Sequence, residues 1–183
     1  ARVALLASSS SLKGDAAINL RRFQKAGGRC HAVDKESALA SVLAPLLQTS
    51  DMLVDAIFGT GLNAPVKGLA ASAIRLMNES GRPIVAIDLP SGLDGDTGSV
   101  LGTAITAVLT VTLARPKRGL YLGVGPNHVG TIRVADIGIP DNLIAAAKIP
   151  LTLLEATGVR PLLPQRPRTA HKGTFGHAGI IAG

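Results

Sequence analysis

Residues 84–98 read IVAIDLPSGLDGDTG, and this stretch decides which fold the chain can adopt. Residues 84–87 form an apolar run without alternation, which is typical of a parallel strand covered on both faces. The strand ends at Asp88, and the loop after it is rich in proline and glycine, which stop regular structure. Ligands of open α/β sheets bind beyond the carboxyl ends of the strands. Asp88 is therefore a candidate reacting group, although an ordinary Asx turn explains the loop equally well.

A second carboxylate, Asp55, repeats this arrangement. Residues 51–57 (DMLVDAI) predict a strand, and the glycine-rich loop GTGLNAPVKG follows at 59–68. Because the carboxyl ends of adjacent parallel strands meet at one edge of a sheet, the two loops are expected to face one crevice. That coincidence favours a site over two unrelated turns. Asp94 and Asp96 are expected to shape the turn rather than to act as acids.

The rest of the chain alternates between strand and helix patterns, which predicts βαβ units with right-handed crossovers and an α/β fold. A break or a second helical start is expected at Pro45. The predicted strands lie at 3–7, 29–33, 51–57, 84–88, 104–113 and 130–136, the last as an edge strand. The predicted helices lie at 16–25, 35–48, 69–80 and 141–148.

The composition bounds the function. Lys and Arg outnumber Asp and Glu by 19 to 12, for a net charge of +7, but aromatic residues make up only 2% of the chain. Proteins that bind single-stranded nucleic acid combine basic grooves with stacking aromatics, so no nucleic-acid partner is expected. Attraction to an anionic small molecule or a solvated basic surface explains the charge better. Lys117 and Arg118 either steer a phosphate or lie in solvent.

Cys30 is the only cysteine, which suits a reducing compartment and predicts a cytoplasmic protein. No run reaches the roughly 18 apolar residues of a membrane span, so no membrane association is expected. The chain starts at Ala1 with a strand almost at once, which suggests a domain clipped at its N-terminus.

The C-terminal part changes character. Residues 149–168 are basic and punctuated by prolines, which is typical of a linker. Residues 169–183 contain a glycine-spaced loop and an apolar segment at 178–182. We interpret this segment as the first strand of a second, truncated domain.

Three motifs in order carry a family resemblance. VDAIFGTGLNAPVKG (54–68), VAIDLPSGLDGDTG (85–98) and VTLARPKRGLYLG (111–123), the last followed by GTIRVADIGIP (130–140), resemble the NAD(P)H-hydrate epimerase family, the YjeF N-terminal domain. The tail RTAHKGTFGHAGIIAG (168–183) resembles the opening of the ADP-dependent NAD(P)H-hydrate dehydratase domain, which has a ribokinase-like fold. The resemblance predicts an epimerase-like domain at 1–148, a linker at 149–168 and the start of a dehydratase domain at 169–183.

The resemblance implies a Rossmann-like three-layer αβα sandwich with a mostly parallel sheet. It implies an isomerase that interconverts the R and S forms of hydrated NADH and NADPH (NADHX and NADPHX). In the full-length chain this activity would be coupled to dehydration that uses ADP or ATP in the missing domain. A homo-oligomer is left open.

The resemblance also implies roles for individual residues. Asp88 is the catalytic carboxylate and also contacts substrate, while Asp55 and Ser91 bind a potassium ion. The hydrated dinucleotide would be held by two further segments. These are the first turn, with Ser11, Gly14 and Asp15, and the loop after Asp55, with Gly59, Thr60, Gly61, Leu62, Asn63, Ala64 and Pro65.

The first turn departs from the family pattern. Residues 8–16 read SSSSLKGDA where the family has a G-N-N-G-G-D-G-like run, so Ser11 and Leu12 replace two asparagines and Lys13 adds a positive charge. Two hypotheses follow. In one, the domain is an active epimerase that uses Asp88, with Asp55 and Ser91 organising a cation, and a Lys13 ammonium in the cation's place would count against it. In the other, it is a non-catalytic dinucleotide-binding or scaffolding domain that serves the dehydratase half.

Overall fold

The computed structural model describes residues 1–163, 165, 167–171 and 173–181. Its contacts divide the chain into two compact units, Ala1–Ile139 and Pro140–Gly183. No helix in the described ranges is long and apolar enough to cross a membrane.

The first unit contains two parallel sheets. The smaller sheet pairs β1 (Arg2–Leu5) with β2 (Arg29–Ala32). The larger sheet has the order β3 (Leu53–Asp55), β4 (Ile84–Ile87), β5 (Leu109–Leu113), β6 (Thr131–Ala135), and all of its pairings are parallel. The predicted α/β class and the mostly parallel arrangement are confirmed, and β6 is an edge strand as expected. The strands form two separate sheets, however. The Arg2 side chain, rather than a ladder of backbone hydrogen bonds, links β1 to the segment before β3, because it donates to the Thr49 carbonyl.

Helices connect these strands, the first three at nearly the predicted positions and the fourth where a turn was expected. They are α1 (Gly14–Lys25), α2 (Glu36–Gln48), α3 (Gly68–Glu79) and the short α4 (Pro126–Val129). Single 3₁₀ turns occur at Ser9–Ser11 and Arg118–Leu120. The predicted break at Pro45 is wrong, since α2 continues through it. Proline removes one helical hydrogen bond, but Leu39 and Leu43 of the same helix are buried, and this packing holds the helix together.

Aliphatic side chains build three core clusters. The first packs α3 against one face of the larger sheet, and the second packs α2 against the smaller sheet and α3. Because α3 belongs to both, it ties the two sheets together. The third lies under the loop after β4. The clusters are Leu53, Val66, Ala71, Ile74, Ile84, Ala86, Ile105 and Ala107; Val33, Leu39, Leu43 and Ala73; and Leu89, Leu93, Leu120 and Val129.

Strand β4 is buried on one face only. Ile84 and Ala86 are buried, whereas Val85 and Ile87 are half-buried. On the neighbouring strand, Val54 is 56% exposed on the same side as Val85. The prediction that β4 is covered on both faces is therefore wrong for the second face. The apolar run that suggested it cannot tell a covered face from a half-covered one.

The second unit is mostly irregular. It contains α5 (Asp141–Ala146), α6 (Ala156–Val159) and a 3₁₀ turn at Arg160–Leu162. The strand predicted at 178–182 does not form over 178–181, because a strand needs a partner edge and this segment pairs with none. Pro164 and Arg166 of the predicted linker, Ala182 of the predicted strand, and Lys172 and Gly183 of the predicted second domain lie outside the described residues. The linker and domain boundaries stay predictions.

Candidate active site

Asp55 and Ser91 form the buried base of the site. Asp55 ends β3 and Ser91 lies in the loop after β4, and the two residues are 0% and 1% exposed. Ser91 donates its backbone N–H to Asp55 Oδ2 at 2.7 Å and its hydroxyl to Asp55 Oδ1 at 2.6 Å. The backbone N–H of Ile57 adds a third hydrogen bond to Oδ1 at 3.2 Å. The two strand-end loops therefore meet, as the sequence predicted.

The Ser91 hydroxyl also fixes the loop after β3. Its oxygen accepts the Phe58 N–H at 2.8 Å and lies 3.2 Å from the Phe58 carbonyl. A hydroxyl has one proton to donate, and the shorter distance assigns it to Asp55. Carboxylate, hydroxyl and carbonyl oxygens thus converge around Ser91. Such oxygens are the ligands that hard cations prefer.

Burial raises the pKa of the Asp55 carboxyl above its ordinary value of 3.8, because the charged form loses solvation. The hydrogen bonds from Ser91 and Ile57 act in the opposite direction and offset part of this effect. No group of three or more His, Cys, Asp or Glu side chains that could hold a metal exists within the described residues. A cation at Asp55 would therefore be held by a single carboxylate together with neutral oxygens.

Asp88 follows directly after β4 with a left-handed backbone, φ 71°. Asp adopts this conformation more readily than most residues, although it is still unfavourable relative to glycine. The backbone N–H of Asp88 nonetheless continues the β4–β5 pairing by donating to Val111 at 2.8 Å. The turn therefore aims the Asp88 side chain over the strand end while the ladder stays intact.

The two oxygens of the Asp88 carboxylate have different surroundings. Oδ1 forms an ion pair with Lys117 and accepts the Leu113 N–H at 3.1 Å. The Thr112 hydroxyl also donates to Oδ1, at a longer distance of 3.5 Å. Oδ2 faces Gly59, where a methyl group built on that glycine would lie 3.5 Å from the oxygen. Within the described residues no hydrogen bond reaches Oδ2, so this is the oxygen left for a bound molecule.

The loop from Gly59 to Pro65 borders this oxygen. Gly59 and Leu62 are half-buried, and Leu62 packs on the first core cluster. The remaining residues of the loop, Thr60, Gly61, Asn63, Ala64 and Pro65, are exposed. A loop that is held in place by Leu62 and exposes its other residues to solvent is suited to contact a ligand.

The first turn is not joined to this base. Ser11, Gly14 and Asp15 are exposed, and no hydrogen bond or ion pair links them to Asp55 or Asp88 in the described part of the chain. The Ser11 hydroxyl instead donates to the Ser8 carbonyl at 2.6 Å inside its own turn. Lys13 is likewise exposed, and no hydrogen bond or ion pair joins it to Asp55 in the described residues, so its ammonium does not stand in for a cation there.

Asp94 is a turn former, as predicted. Its Oδ1 accepts the backbone N–H groups of Asp96 and Thr97 and the Thr97 hydroxyl, at 3.0, 2.7 and 2.8 Å. These hydrogen bonds, those from Thr97 first, lower the pKa of the Asp94 carboxyl. Gly92, with φ 94°, allows the loop after β4 to pack closely against the backbone at Thr103. A methyl group on Gly92 would lie 1.8 Å from the Thr103 carbonyl oxygen.

Sequence reasoning missed the role of Lys117. It contacts Asp88 across 29 residues of sequence, so neither phosphate steering nor simple solvation describes it. The signal that would have found it is its place just beyond β5, which is the neighbour of β4. Residues that follow adjacent parallel strands meet at the same edge of the sheet.

Relatives of this chain are known. The family model described as "YjeF-related protein N-terminus" matches residues 1–119. The "Bifunctional NAD(P)H-hydrate repair enzyme Nnr" of Moorella thermoacetica is 43% identical over 182 residues, which cover 100% of this chain and 34% of that protein. The "NAD(P)H-hydrate epimerase" of Levilactobacillus brevis is 52% identical over 88 residues, covering 48% of this chain and 41% of that protein.

A solved structure supports the fold. The crystal structure of the yeast protein ynu0, YNL200c, superimposes with a TM-score of 0.60 at 21% identity, over 76% of this chain and 57% of that one. The present chain spans about a third of the length of its bifunctional relatives, with coverages of 34%, 38% and 34% for three of them. Since the family model matches well over half of the sequence, the chain belongs to the YjeF-related N-terminal family.

Proposed function

We propose that this chain epimerises the R and S forms of hydrated NADH and NADPH, with Asp88 as the catalytic acid and base. The observation that supports this most is the difference between the two oxygens of the Asp88 carboxylate. Oδ1 accepts hydrogen bonds from protein donors, while Oδ2 faces Gly59. The names of the relatives, an NAD(P)H-hydrate epimerase and bifunctional repair enzymes, supply the substrate class.

The chemistry needs one proton carrier. A carbon that bears both a hydroxyl and a ring nitrogen inverts when its C–N bond opens and closes again on the other face. Asp88 Oδ2 takes the hydroxyl proton as the C=O bond forms, and the C–N electron pair goes to nitrogen. The carboxyl then delivers that proton to nitrogen. Closure on the opposite face reverses both transfers, so that nothing is consumed, and a positioned carboxylate is suited to such work.

Asp55, Ser91 and the Phe58 carbonyl would hold the potassium ion that the family resemblance implies. Their oxygens fit a hard cation, and one carboxylate balances one positive charge. The bound ion would supply positive charge to the buried carboxylate. The chain's own part is to fix the two strand-end loops through the Ser91 hydroxyl.

The loop from Gly59 to Pro65 and the first turn with Ser11, Gly14 and Asp15 would contact the dinucleotide. We place the activity in the cytoplasm, because the lone Cys30 suits a reducing compartment. The small-molecule substrate, rather than nucleic acid or a membrane, would be the partner, and a homo-oligomer remains compatible with the proposal. In the full-length protein, a dehydratase domain that uses ADP or ATP would consume the epimerised hydrate.

The alternative of a non-catalytic dinucleotide-binding or scaffolding domain is not favoured. It rested on the altered turn at residues 8–13, but Ser9, Ser10, Ser11 and Lys13 are exposed, and no hydrogen bond or ion pair joins the turn to Asp88 in the described residues. The proposed acid-base group and its supports lie elsewhere.

The test compares Asp88→Asn with Asp96→Asn, which makes the same change at an exposed position of the same loop. Each purified variant is mixed with a single hydrate epimer, and appearance of the other is followed by chromatography after subtraction of the protein-free rate. We expect Asp88→Asn to lose at least about 100-fold in rate and Asp96→Asn to stay near the parent. Equal rates for Asp88→Asn and the parent would refute the assignment.

A further inference from the structure

We propose that Lys117 is a positioning residue, which holds the Asp88 carboxylate so that only Oδ2 is presented to substrate. This inference rests on the proposed function. It concerns the pairing of two loops, the one after β4 and the one after β5, at the carboxyl edge of the larger sheet.

The Lys117 ammonium is fully engaged inside the protein. It donates to Asp88 Oδ1, to the Thr112 hydroxyl at 3.1 Å and to the Leu113 carbonyl at 2.8 Å. An ammonium has three N–H donors, so none is left for a phosphate. The side chain is only 20% exposed and that of Asp88 only 17%. Lys117 therefore acts on the carboxylate and not on an approaching ligand.

These contacts fix the rotation of the carboxylate. Lys117 and the Leu113 N–H approach the same oxygen, Oδ1, and together they match its two lone pairs. The left-handed backbone of Asp88 fixes the direction in which the side chain leaves the chain. With the backbone and one oxygen both held, Oδ2 has one place to lie, next to Gly59.

A positioning role predicts a particular kinetic pattern. Misplacement of a catalytic group by about 1 Å can cost on the order of 100-fold in rate. Loss of Lys117 should therefore lower kcat and leave KM nearly unchanged, because the loop and turn proposed to hold the dinucleotide do not include it. A phosphate-binding lysine would raise KM instead, and a merely structural lysine would lower stability without changing kcat of the folded fraction.

The experiment uses Lys117→Met, Lys117→Arg and the control Lys25→Met, which removes the same charge from an exposed site on α1. Folding of each is checked by thermal denaturation. We expect Lys117→Met to lose about 100-fold in kcat with KM within about threefold, and Lys25→Met to match the parent. Lys117→Arg should lose about tenfold, because a planar guanidinium cannot reach the three acceptors as an ammonium does. It also carries the test if the methionine variant does not fold.

Chemical rescue gives a second readout. In Lys117→Ala, ethylammonium should restore kcat in a saturable way, whereas tetramethylammonium, which has no N–H donor, should not. Unchanged kcat in folded Lys117→Met or Lys117→Arg, or a loss confined to KM, would overturn the role of Lys117 while the parent and Asp88→Asn still differ. A parent without epimerase activity would overturn the proposed function and this role together.

Discussion

Removal of the Ser91 hydroxyl tests the buried base of the site most directly. In Ser91→Ala, Asp55 Oδ1 loses its shortest hydrogen bond, 2.6 Å, and the Phe58 N–H loses its acceptor at 2.8 Å. A hydrogen bond to a charged buried group contributes about 1.5–3 kcal/mol, and an orphaned buried N–H costs about 1–3 kcal/mol. Because Phe58 is only half-buried, the lower end applies to its N–H. We expect a loss of about 3 kcal/mol in the free energy of unfolding.

The matched control is Thr110→Val, which removes one fully buried hydroxyl that donates to the Val129 carbonyl at 2.8 Å. It should cost about 1–1.5 kcal/mol. Urea denaturation of both variants and the parent, in potassium-free buffer of matched ionic strength, measures the difference. The Ser91 deficit should also shrink at acid pH, since the lost hydrogen bond stabilises the charged form of Asp55. A Ser91→Ala loss no larger than that of Thr110→Val would refute the reasoning.

Three other outcomes are expected. The free energy of unfolding of Gly59→Ala should be within about 1 kcal/mol of that of the parent, because the added methyl would lie at an ordinary contact distance of 3.5 Å from Asp88 Oδ2. The epimerisation rate should still fall about tenfold or more. An unchanged rate would argue against substrate approaching Asp88 beside Gly59. Gly92→Ala should cost more than about 3 kcal/mol or prevent folding, since its methyl would lie 1.8 Å from a backbone carbonyl at a φ of 94°; a urea midpoint near that of the parent would contradict the loop geometry. Because the pKa of Asp55 is raised, the folded state keeps a proton that the unfolded state releases at pH values between 3.8 and the raised pKa. This group's contribution to stability is therefore fully present below 3.8 and falls as pH rises through the raised pKa. The free energy of unfolding of Asp55→Asn relative to the parent should therefore increase as pH rises above about 4, and a flat difference would show that burial does not govern this carboxyl.

Much of the fold could be predicted because periodicity and breaker residues report local structure. Strand β4 and helix α3 were expected within one or two residues of their observed bounds. The pattern could not show that α2 continues through Pro45, because the packing of Leu39 and Leu43 decides that and lies outside any local window. The grouping of strands into two sheets also depends on long-range pairing.

The candidate site divides in the same way. Asp55 and Asp88 could be found because each ends a strand, and strand ends share an edge of a sheet. Lys117 was not assigned, because its place after β5 points to Asp88, 29 residues away, only once the order β4–β5 is known. The left-handed backbone of Asp88 was equally hidden, since aspartate adopts many turn conformations.

The separation of the two sheets has a consequence for how the chain responds to a ligand. The β1–β2 pair and α1 contribute less to the core than the larger sheet does, and α1 has no fully buried residue. Regions with little burial open locally before the rest of a protein. Amide hydrogens of β1 and β2 should therefore exchange with deuterium faster than those of β4 and β5. A dinucleotide that binds the turn at residues 8–15 would slow that exchange. Its measured affinity would be weaker than its contacts alone suggest, because binding would also have to order β1, β2 and α1.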